Sequence, residues 1–337
     1  MDVLIVTAPG SGAEAIPFLK TLDLPIAVLF TVAYTTLANR LTPDMLFYAC
    51  LLPFVAFFGA FGFLVYPNKD WLHPTALCDK LLVVLGDRWA APLALLRSWT
   101  YSSFYMVAEM WGSIVVSLLF WGLANSVMTV DEAATFYPLF GMGANLSLIV
   151  AGNVTHRLSE LRASLPPGVD GWGVALQGLM ALVVLNGLII SGLHAYLQSQ
   201  VVPKVQAQRA AAAAAGKGVA APKAKKPKAK MNMGESFKFL ASSPYIRDMA
   251  TMVVSFAVGL QLVEVTWKAK LKTAYPTPSE YSAFMGRFSE ATGVVTLVMM
   301  LVGRYVLKRW GWGVAALATP TVILSTAVVF MTLVLSE

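Results

Sequence analysis

Long apolar stretches separated by short polar turns run through most of the chain. A helix needs roughly 20 apolar residues to cross the hydrocarbon core of a bilayer, and eight stretches approach or exceed that length. They lack the strict alternation of a membrane barrel, so each one is predicted to be a helix. The predicted spans are residues 22–37, 45–66, 99–124, 136–154, 174–197, 249–267, 288–307 and 314–335.

Two shorter apolar segments do not fit a full span. Residues 1–8 are too short to cross a membrane and are predicted to be the tail of a helix. Residues 78–96 mix apolar and charged positions, which favours one amphipathic helix lying along the membrane interface. With these segments the chain is predicted to be all-α, with eight spans and a fragment.

A low-complexity basic linker interrupts the apolar pattern between the fifth and sixth spans. It contains six consecutive alanines from Ala210, and eight lysines and arginines without an acid between Gln198 and Lys230. Such a run is typical of a solvated tether on the positively charged side of a membrane, and attraction to anionic lipid is a second possibility. The predicted domains are an N-terminal helical half (1–197, first helix truncated), the linker (198–242) and a truncated C-terminal half (243–337).

Composition supports a membrane protein. Of the 337 residues, 57% are hydrophobic and 13% are charged, and the mean hydropathy is +0.67; soluble domains carry about twice that share of charge. The net charge of +7 comes mostly from the linker, so it does not indicate a nucleic-acid partner. Cys50 and Cys78 are too few for a disulfide framework and are predicted to be reduced.

Charged side chains inside the predicted spans are the candidates for function. Glu109 and Glu264 each interrupt an apolar run, and Lys20 precedes one. A charge at hydrocarbon depth costs roughly 2.5–3.5 kcal/mol, so it normally faces protein or a water-filled cavity. Three lysines after Glu264 (Lys268, Lys270 and Lys272) are interpreted as the basic exit of that span, which favours a transport pathway.

Each candidate also has an alternative interpretation. The two glutamates could be buried, hydrogen-bonded carboxylates that serve helix packing. Lys20 could extend its ammonium group to the lipid headgroups. Asn145, in the block FGMGAN, could join two helices by a hydrogen bond or hold a polar ligand.

Enzyme and metal signatures are weak. The three histidines, His73, His156 and His194, are scattered without cysteine or carboxylate at metal-ligand spacing. No nucleophile–base pair is visible either, so no enzyme activity, metal or cofactor is predicted. A polytopic membrane transferase and a non-transporting structural membrane protein remain alternatives to transport.

Several sequence blocks resemble one known family. The blocks are FYMVAEMWGSIVVSLLFWGLAN, TVDEAATFYPLFGMGAN, SSPYIRDMA, LVEVTWKAKLK, EYSAFMGRFSEATG and GWGVAALATPTV. They are similar to the ATP/ADP translocases of plastids and to the nucleotide carriers of obligate intracellular bacteria. The resemblance covers nearly the whole chain apart from the linker. The threefold repeat of the mitochondrial carriers is missing.

The resemblance implies a fold and an activity. It implies a twelve-helix, major-facilitator-like bundle, of which this chain would be an internal portion with eight to nine helices. It also implies a monomer that exchanges ATP for ADP plus phosphate across the plastid inner envelope, or acts in the membrane of an intracellular bacterium. A proton-coupled nucleotide importer of the same family is the alternative.

The resemblance also implies roles for particular residues. Two lysines and two glutamates are needed for transport in the family, and Lys20, Glu109 and Glu264 fall on three of those positions. The fourth, a lysine in a late helix, has no counterpart in this chain. Asn145 is expected near the nucleotide phosphates. The glutamates are expected to pair with the lysines when the site is empty, or to contact the base or a proton.

Overall fold

The computed structural model describes residues 1–160, 166, 169–214, 242 and 244–336, and all regular structure in these residues is helical. The described α-helices are α1 (Asp2–Val6), α2 (Ala15–Ala38), α3 (Pro43–Ala60), α4 (Lys69–Leu72), α5 (Thr75–Leu85), α6 (Ala90–Arg97), α7 (Trp99–Trp111), α8 (Trp121–Val127), α9 (Val130–Glu160), α10 (Gly171–Tyr196), α11 (Val202–Ala214), α12 (Pro244–Ala274) and α13 (Pro278–Ser336). The π-helical segments Phe61–Val65, Gly112–Phe120 and Leu197–Val201 follow α3, α7 and α10.

The predicted all-α membrane architecture is confirmed in this part of the chain. Seven described segments are long and apolar enough to cross a bilayer: Ala15–Ala38, Pro43–Val65, Trp99–Asn125, Thr135–Glu160, Gly171–Gln208, Pro244–Ala274 and Pro278–Gly303. They correspond to the first seven predicted spans. The eighth predicted span corresponds to a shorter apolar segment, Pro320–Val334. It follows a break in α13 at Gly311, whose φ of 78° lies outside the range of a right-handed helix.

The single interfacial helix predicted over residues 78–96 is wrong. The chain forms α5, a 3-10 turn (Asp87–Trp89) and α6 instead. The break lies at Gly86, whose φ of 80° and ψ of 171° are open to glycine and unfavourable for residues with a Cβ. The amphipathic pattern therefore continues across a bend that the hydrophobic periodicity does not reveal.

The start of α3 follows local capping chemistry. Thr42 precedes α3 in an extended conformation, and its side chain accepts a hydrogen bond from the Met45 backbone N–H at 3.3 Å. Pro43 at the first helical position lacks an N–H that would otherwise be unsatisfied. Asp44 in the first turn complements the positive end of the helix dipole.

Two compact units divide the chain. The first contains Met1–Ala133 and Gly168–Pro278, and the second contains Ala134–Pro167 and Ser279–Glu337. Both therefore combine segments from distant parts of the sequence. The predicted division at the linker stays a prediction, and residues 215–241 of that linker lie outside the described residues.

One hydrophobic cluster of the first unit forms where α3 meets the π-helical segment after α7. Its buried side chains are Leu46, Phe47, Cys50, Leu51, Val55, Ile114, Val115 and Leu119. Helix α10 packs against α3. The His194 ring stacks on the Phe47 ring with centroids 3.7 Å apart, and the Tyr48 hydroxyl donates a hydrogen bond to the Ser191 carbonyl oxygen at 3.1 Å. The packing therefore joins α3 and α10 to the π-helical segment that follows α7, the helix that contains Glu109.

The second unit is built on a close crossing of α9 and the first part of α13. A Cβ at Gly152 would lie 2.5 Å from the Gly286 carbonyl oxygen, and one at Gly286 would lie 2.7 Å from the Gly152 carbonyl oxygen. Ser159 donates a hydrogen bond to Ser282 at 2.9 Å beside this crossing. Small residues at a contact let two membrane helices approach closely, and hydroxyl groups add hydrogen bonds between them.

Candidate functional site

Helix α2 contributes Lys20 to a group of charged side chains in the first unit. Lys20 lies in the second turn of the helix and its side chain is 32% exposed. Asp23 follows three residues later, nearly one turn further along the same helix. One Oδ of Asp23 is buried without a hydrogen-bond partner among the described residues, and the Lys20 charge acts on this carboxylate.

Helix α12 contributes three polar side chains on one face. Gln261, Glu264 and Lys268 are separated by three and four residues, the spacing that aligns side chains along a helix. Lys268 is 3% exposed, and it and Leu271 are the buried residues of this helix among those described. Most apolar residues of α12, such as Met252 and Leu262, are exposed, which fits a helix whose solvent is lipid.

The two helices meet at Glu264. One carboxylate oxygen of Glu264 lies 2.5 Å from the Lys268 Nζ, and the other lies 3.8 Å from the Lys20 Nζ. Lys20 also donates a hydrogen bond to the Gln261 side-chain oxygen at 2.8 Å. The structure thus brings together two of the residues selected from the sequence, Lys20 and Glu264, and adds Gln261 and Lys268 to them.

Asp2 on α1 completes the group. Its Oδ2 lies 2.7 Å from the Lys268 Nζ, and its side chain is 16% exposed. An ammonium group removed from water is tolerated when carboxylates surround it at hydrogen-bond distance. Lys268 therefore has two close counterions, whereas Lys20 has one at a longer distance. We call Asp2, Lys20, Gln261, Glu264 and Lys268 the charge cluster.

Glu109 lies in α7, three residues before the π-helical segment Gly112–Phe120 begins. Its carboxylate accepts a hydrogen bond from the hydroxyl of Tyr105, which is buried, at 3.2 Å. π-Helical segments occur often at functional sites, where they re-aim side chains within a helix. Among the described residues, no hydrogen bond or ion pair joins Glu109 to Lys20 or Glu264.

Asn145 belongs to the second unit and is described there. Its side-chain amide donates to the Gly141 carbonyl oxygen at 2.9 Å and to the Met300 sulfur at 3.3 Å, which joins α9 to α13. This is the helix-joining contact that the sequence allowed. Binding of a polar ligand by Asn145 stays a prediction.

Four residues of the site region were missed by reasoning from the sequence. The sequence interpretation groups Lys268 with Lys270 and Lys272 as a basic exit, although its position four residues after Glu264 predicts a shared face. Asp23 is an acid inside a span, the same signal that selected Glu109. Gln261 is uncharged, and Asp2 is remote in sequence, so neither carries a signal of its own.

Charged side chains paired inside membrane-spanning helices are typical of transporters for charged solutes. The chain belongs to the TLC ATP/ADP transporter family, whose family model matches residues 1–337. The family resemblance seen in the sequence blocks is thereby confirmed.

Curated relatives agree with this assignment. The chain is 52% identical over 335 residues to "ADP,ATP carrier protein 1, chloroplastic" of Arabidopsis thaliana, a match that covers 99% of this chain and 51% of that protein. It is 51% identical to the "Plastidic ATP/ADP-transporter" of Solanum tuberosum, with the same coverage. It is 46% identical over 336 residues to "ADP,ATP carrier protein 1" of Chlamydia muridarum, covering 99% of this chain and 62% of that one.

The chain therefore spans about half the length of the plant relatives that it matches. No solved structure matches it. The major-facilitator-like bundle and the total of twelve helices accordingly stay predictions.

Proposed function

We propose that the protein exchanges ATP for ADP across a membrane. The observation that carries the proposal is the pairing of Lys20 with Glu264 inside two membrane-spanning helices, in a chain of the ATP/ADP transporter family. The names of its plant and chlamydial relatives, which are ADP,ATP carriers, support the choice of substrate. Nucleotide phosphates are multiply charged anions, so a site for them inside a membrane needs cations.

Lys20 is the proposed phosphate ligand. Its pair with Glu264 is 3.8 Å long and about one third of each side chain is exposed, so little is lost when the pair separates. Phosphate oxygens bind an ammonium group through short, charge-assisted hydrogen bonds. In the proposed cycle, phosphate oxygens replace Glu264 and Gln261 around Lys20 when a nucleotide enters. The Lys20–Glu264 pair forms again when the nucleotide leaves.

Glu264 is the proposed counterion of the empty site. A carboxylate repels phosphate, so Glu264 acts by holding Lys20 while no nucleotide is present. Glu109 is proposed to contact the base or a proton, with Tyr105 fixing its carboxylate. Asn145 is proposed to lie near the phosphates when a nucleotide is bound.

The proposal extends to location and to the second product. The plant relatives are chloroplastic by name, which supports the plastid inner envelope, and the chlamydial relatives support the membrane of an intracellular bacterium as the alternative. Release of phosphate together with ADP, and a monomeric carrier in the lipid bilayer, complete the proposal. The nucleotide crosses without chemical change.

Uptake of labelled ATP by bacterial cells that express the full-length protein tests the function. External ADP should release the label from wild-type cells, and the label should be recovered in unchanged nucleotides. Lys20→Gln and Glu264→Gln should each lower exchange at least about tenfold, because Lys20→Gln removes the proposed phosphate ligand and Glu264→Gln removes the acid that pairs with Lys20 in the empty site.

Lys270→Gln is the matched control, because Lys270 is an exposed lysine on the same helix. It should exchange like the wild type at equal amounts of protein in the membrane. Wild-type exchange that survives both Lys20→Gln and Glu264→Gln would contradict the assigned site, and a wild type without uptake would contradict the function.

A further inference from the structure

Glu264 is shared unequally between two lysines. Its contact with Lys268 is 2.5 Å long, and its contact with Lys20 is 3.8 Å long. Lys268 is 3% exposed and lies between two acids, whereas Lys20 is 32% exposed and has a neutral amide as its nearest partner. The two lysines of the charge cluster therefore differ in burial and in pairing: Lys268 is buried between two acids, and Lys20 is partly exposed with a more distant ion-pair partner.

We propose that Lys268 is a positioning residue that holds Glu264 and so keeps Lys20 available to nucleotide phosphates. This inference rests on the proposed function and deepens it, since it names what sets the strength of the Lys20–Glu264 pair. Lys268 itself does not bind the nucleotide. Its Nζ is enclosed by Asp2 and Glu264, and exposing it to phosphate would require both ion pairs to open.

The charge balance of the cluster explains the effect. The Lys268 ammonium compensates much of the Glu264 charge at short range, which weakens the pull of that carboxylate on Lys20. Coulomb energy varies inversely with distance and grows as water is excluded. Without Lys268 the full carboxylate charge acts on Lys20, the pair closes from 3.8 Å toward hydrogen-bond contact, and phosphate must compete with a tighter partner.

Asp2 has the complementary role. Its Oδ2 lies 2.7 Å from the Lys268 Nζ and supplies this buried ammonium with a second counterion besides Glu264. Lys272, one turn further along α12, donates a hydrogen bond to the Ser11 carbonyl oxygen and fixes the end of the helix beside the turn that precedes α2. The charge cluster therefore has a buried side, Asp2 with Lys268, and a partly exposed side, Lys20.

ATP binding to the purified full-length protein in lipid nanodiscs tests this. Lys268→Gln should weaken binding at least about fivefold, a typical coupling between sites. Adding Glu264→Gln should restore the affinity to within about twofold of wild type, because contacting residues couple in this way and Glu264 then no longer competes with phosphate for Lys20, whereas Asp23 acts on Lys20 alike in every variant. The double variant should still fail to exchange, since Glu264 is needed for transport.

Controls separate positioning from folding. Lys270→Gln should bind ATP like the wild type, and Lys268→Arg should retain most of the affinity because it keeps the charge. If Lys268→Gln with Glu264→Gln does not fold, the triple variant that adds Asp2→Asn removes all three charges and provides the same readout.

Two results would overturn the inference: wild-type affinity in Lys268→Gln, or a loss of affinity that removal of the Glu264 charge does not restore. The second would mean that Lys268 only stabilises the helix. A wild type that binds no ATP would instead contradict the proposed function, and the two failures are thus distinguishable.

Discussion

Asp170 shows how one side chain fixes the start of a span. It precedes α10, accepts a hydrogen bond from the Gly173 backbone N–H at 2.9 Å and pairs with Lys69 at 3.0 Å. Asp170→Ala should lower the stability of the protein by about 1 kcal/mol, because an N-cap is lost. Asp170→Asn keeps the cap and should lose less. Thermal unfolding in detergent micelles measures both.

The same residue gives the protein a pH dependence with a defined sign. Burial disfavours the charged form of Asp170, but the Gly173 N–H and the Lys69 ammonium outweigh it and lower its pKa below the ordinary value of 3.8. A lowered pKa of Asp170 stabilises the fold above pH 3.8. This stabilisation disappears as the pH falls through the pKa that Asp170 has in the folded protein. Asp170→Asn should therefore reduce the loss of stability between pH 5 and pH 3; an unchanged loss would contradict this assignment.

At the residue scale, the sequence predicts which charged side chains lie within or beside the membrane spans, where a charge is costly in free energy. Lys20, Glu109 and Glu264 were selected because each lies within or beside an apolar span, and Lys20 and Glu264 do meet. The sequence could not separate Lys268 from the two lysines that follow, since burial depends on which residue of another helix lies opposite. That residue is Asp2, and nothing local links it to α12.

At the scale of elements, the crossing of α9 and α13 depends on two glycines. Gly152→Ala or Gly286→Ala would place a methyl group 2.5–2.7 Å from backbone atoms of the other helix. Backbone cannot move aside as a flexible side chain can, so the helices must separate, at a cost of about 1–3 kcal/mol each. A fall in the midpoint of thermal unfolding measures the effect.

Gly143→Ala on the same helix is the control for this prediction. A Cβ at Gly143 would meet nothing within 4 Å, so helix propensity alone should determine the change in stability. Replacing glycine by alanine inside a helix should stabilise the protein by roughly 0.5–1 kcal/mol. Equal effects of Gly143→Ala and Gly286→Ala would mean that the close crossing is not present in the membrane.

The elements themselves were largely predictable, and their interruptions were not. The length of each apolar run alone predicts the seven spans, because a segment in lipid must form its backbone hydrogen bonds internally, as a helix does. The breaks at Gly86 and Gly311 depend on a positive φ, which many glycines could adopt and few do. The π-helical segment after Glu109 carries no compositional signal, since its residues are as apolar as those around it.

At the scale of the whole molecule, the sequence blocks predict the family and not the grouping of helices. The first unit joins α12 to the N-terminal helices, and the second joins α9 to α13. Such pairings are made by contacts between residues that are distant in sequence, for instance Lys268 with Asp2 and Gly286 with Gly152. Apolar periodicity reports that a helix has a partner without saying which.

The proposed exchange of ATP for ADP would be a property of the whole molecule. In an empty site, Lys20 is held by Glu264 and Gln261, and the proposed cycle lets a nucleotide replace them. Vesicles containing the full-length protein should therefore take up labelled ATP at least about tenfold faster when loaded with ADP than when empty, as expected if a bound nucleotide lowers the barrier to reorientation by at least ~1.4 kcal/mol. A protonophore should leave that rate unchanged. Rapid uptake into empty vesicles that the protonophore abolishes would contradict exchange and indicate proton-coupled import.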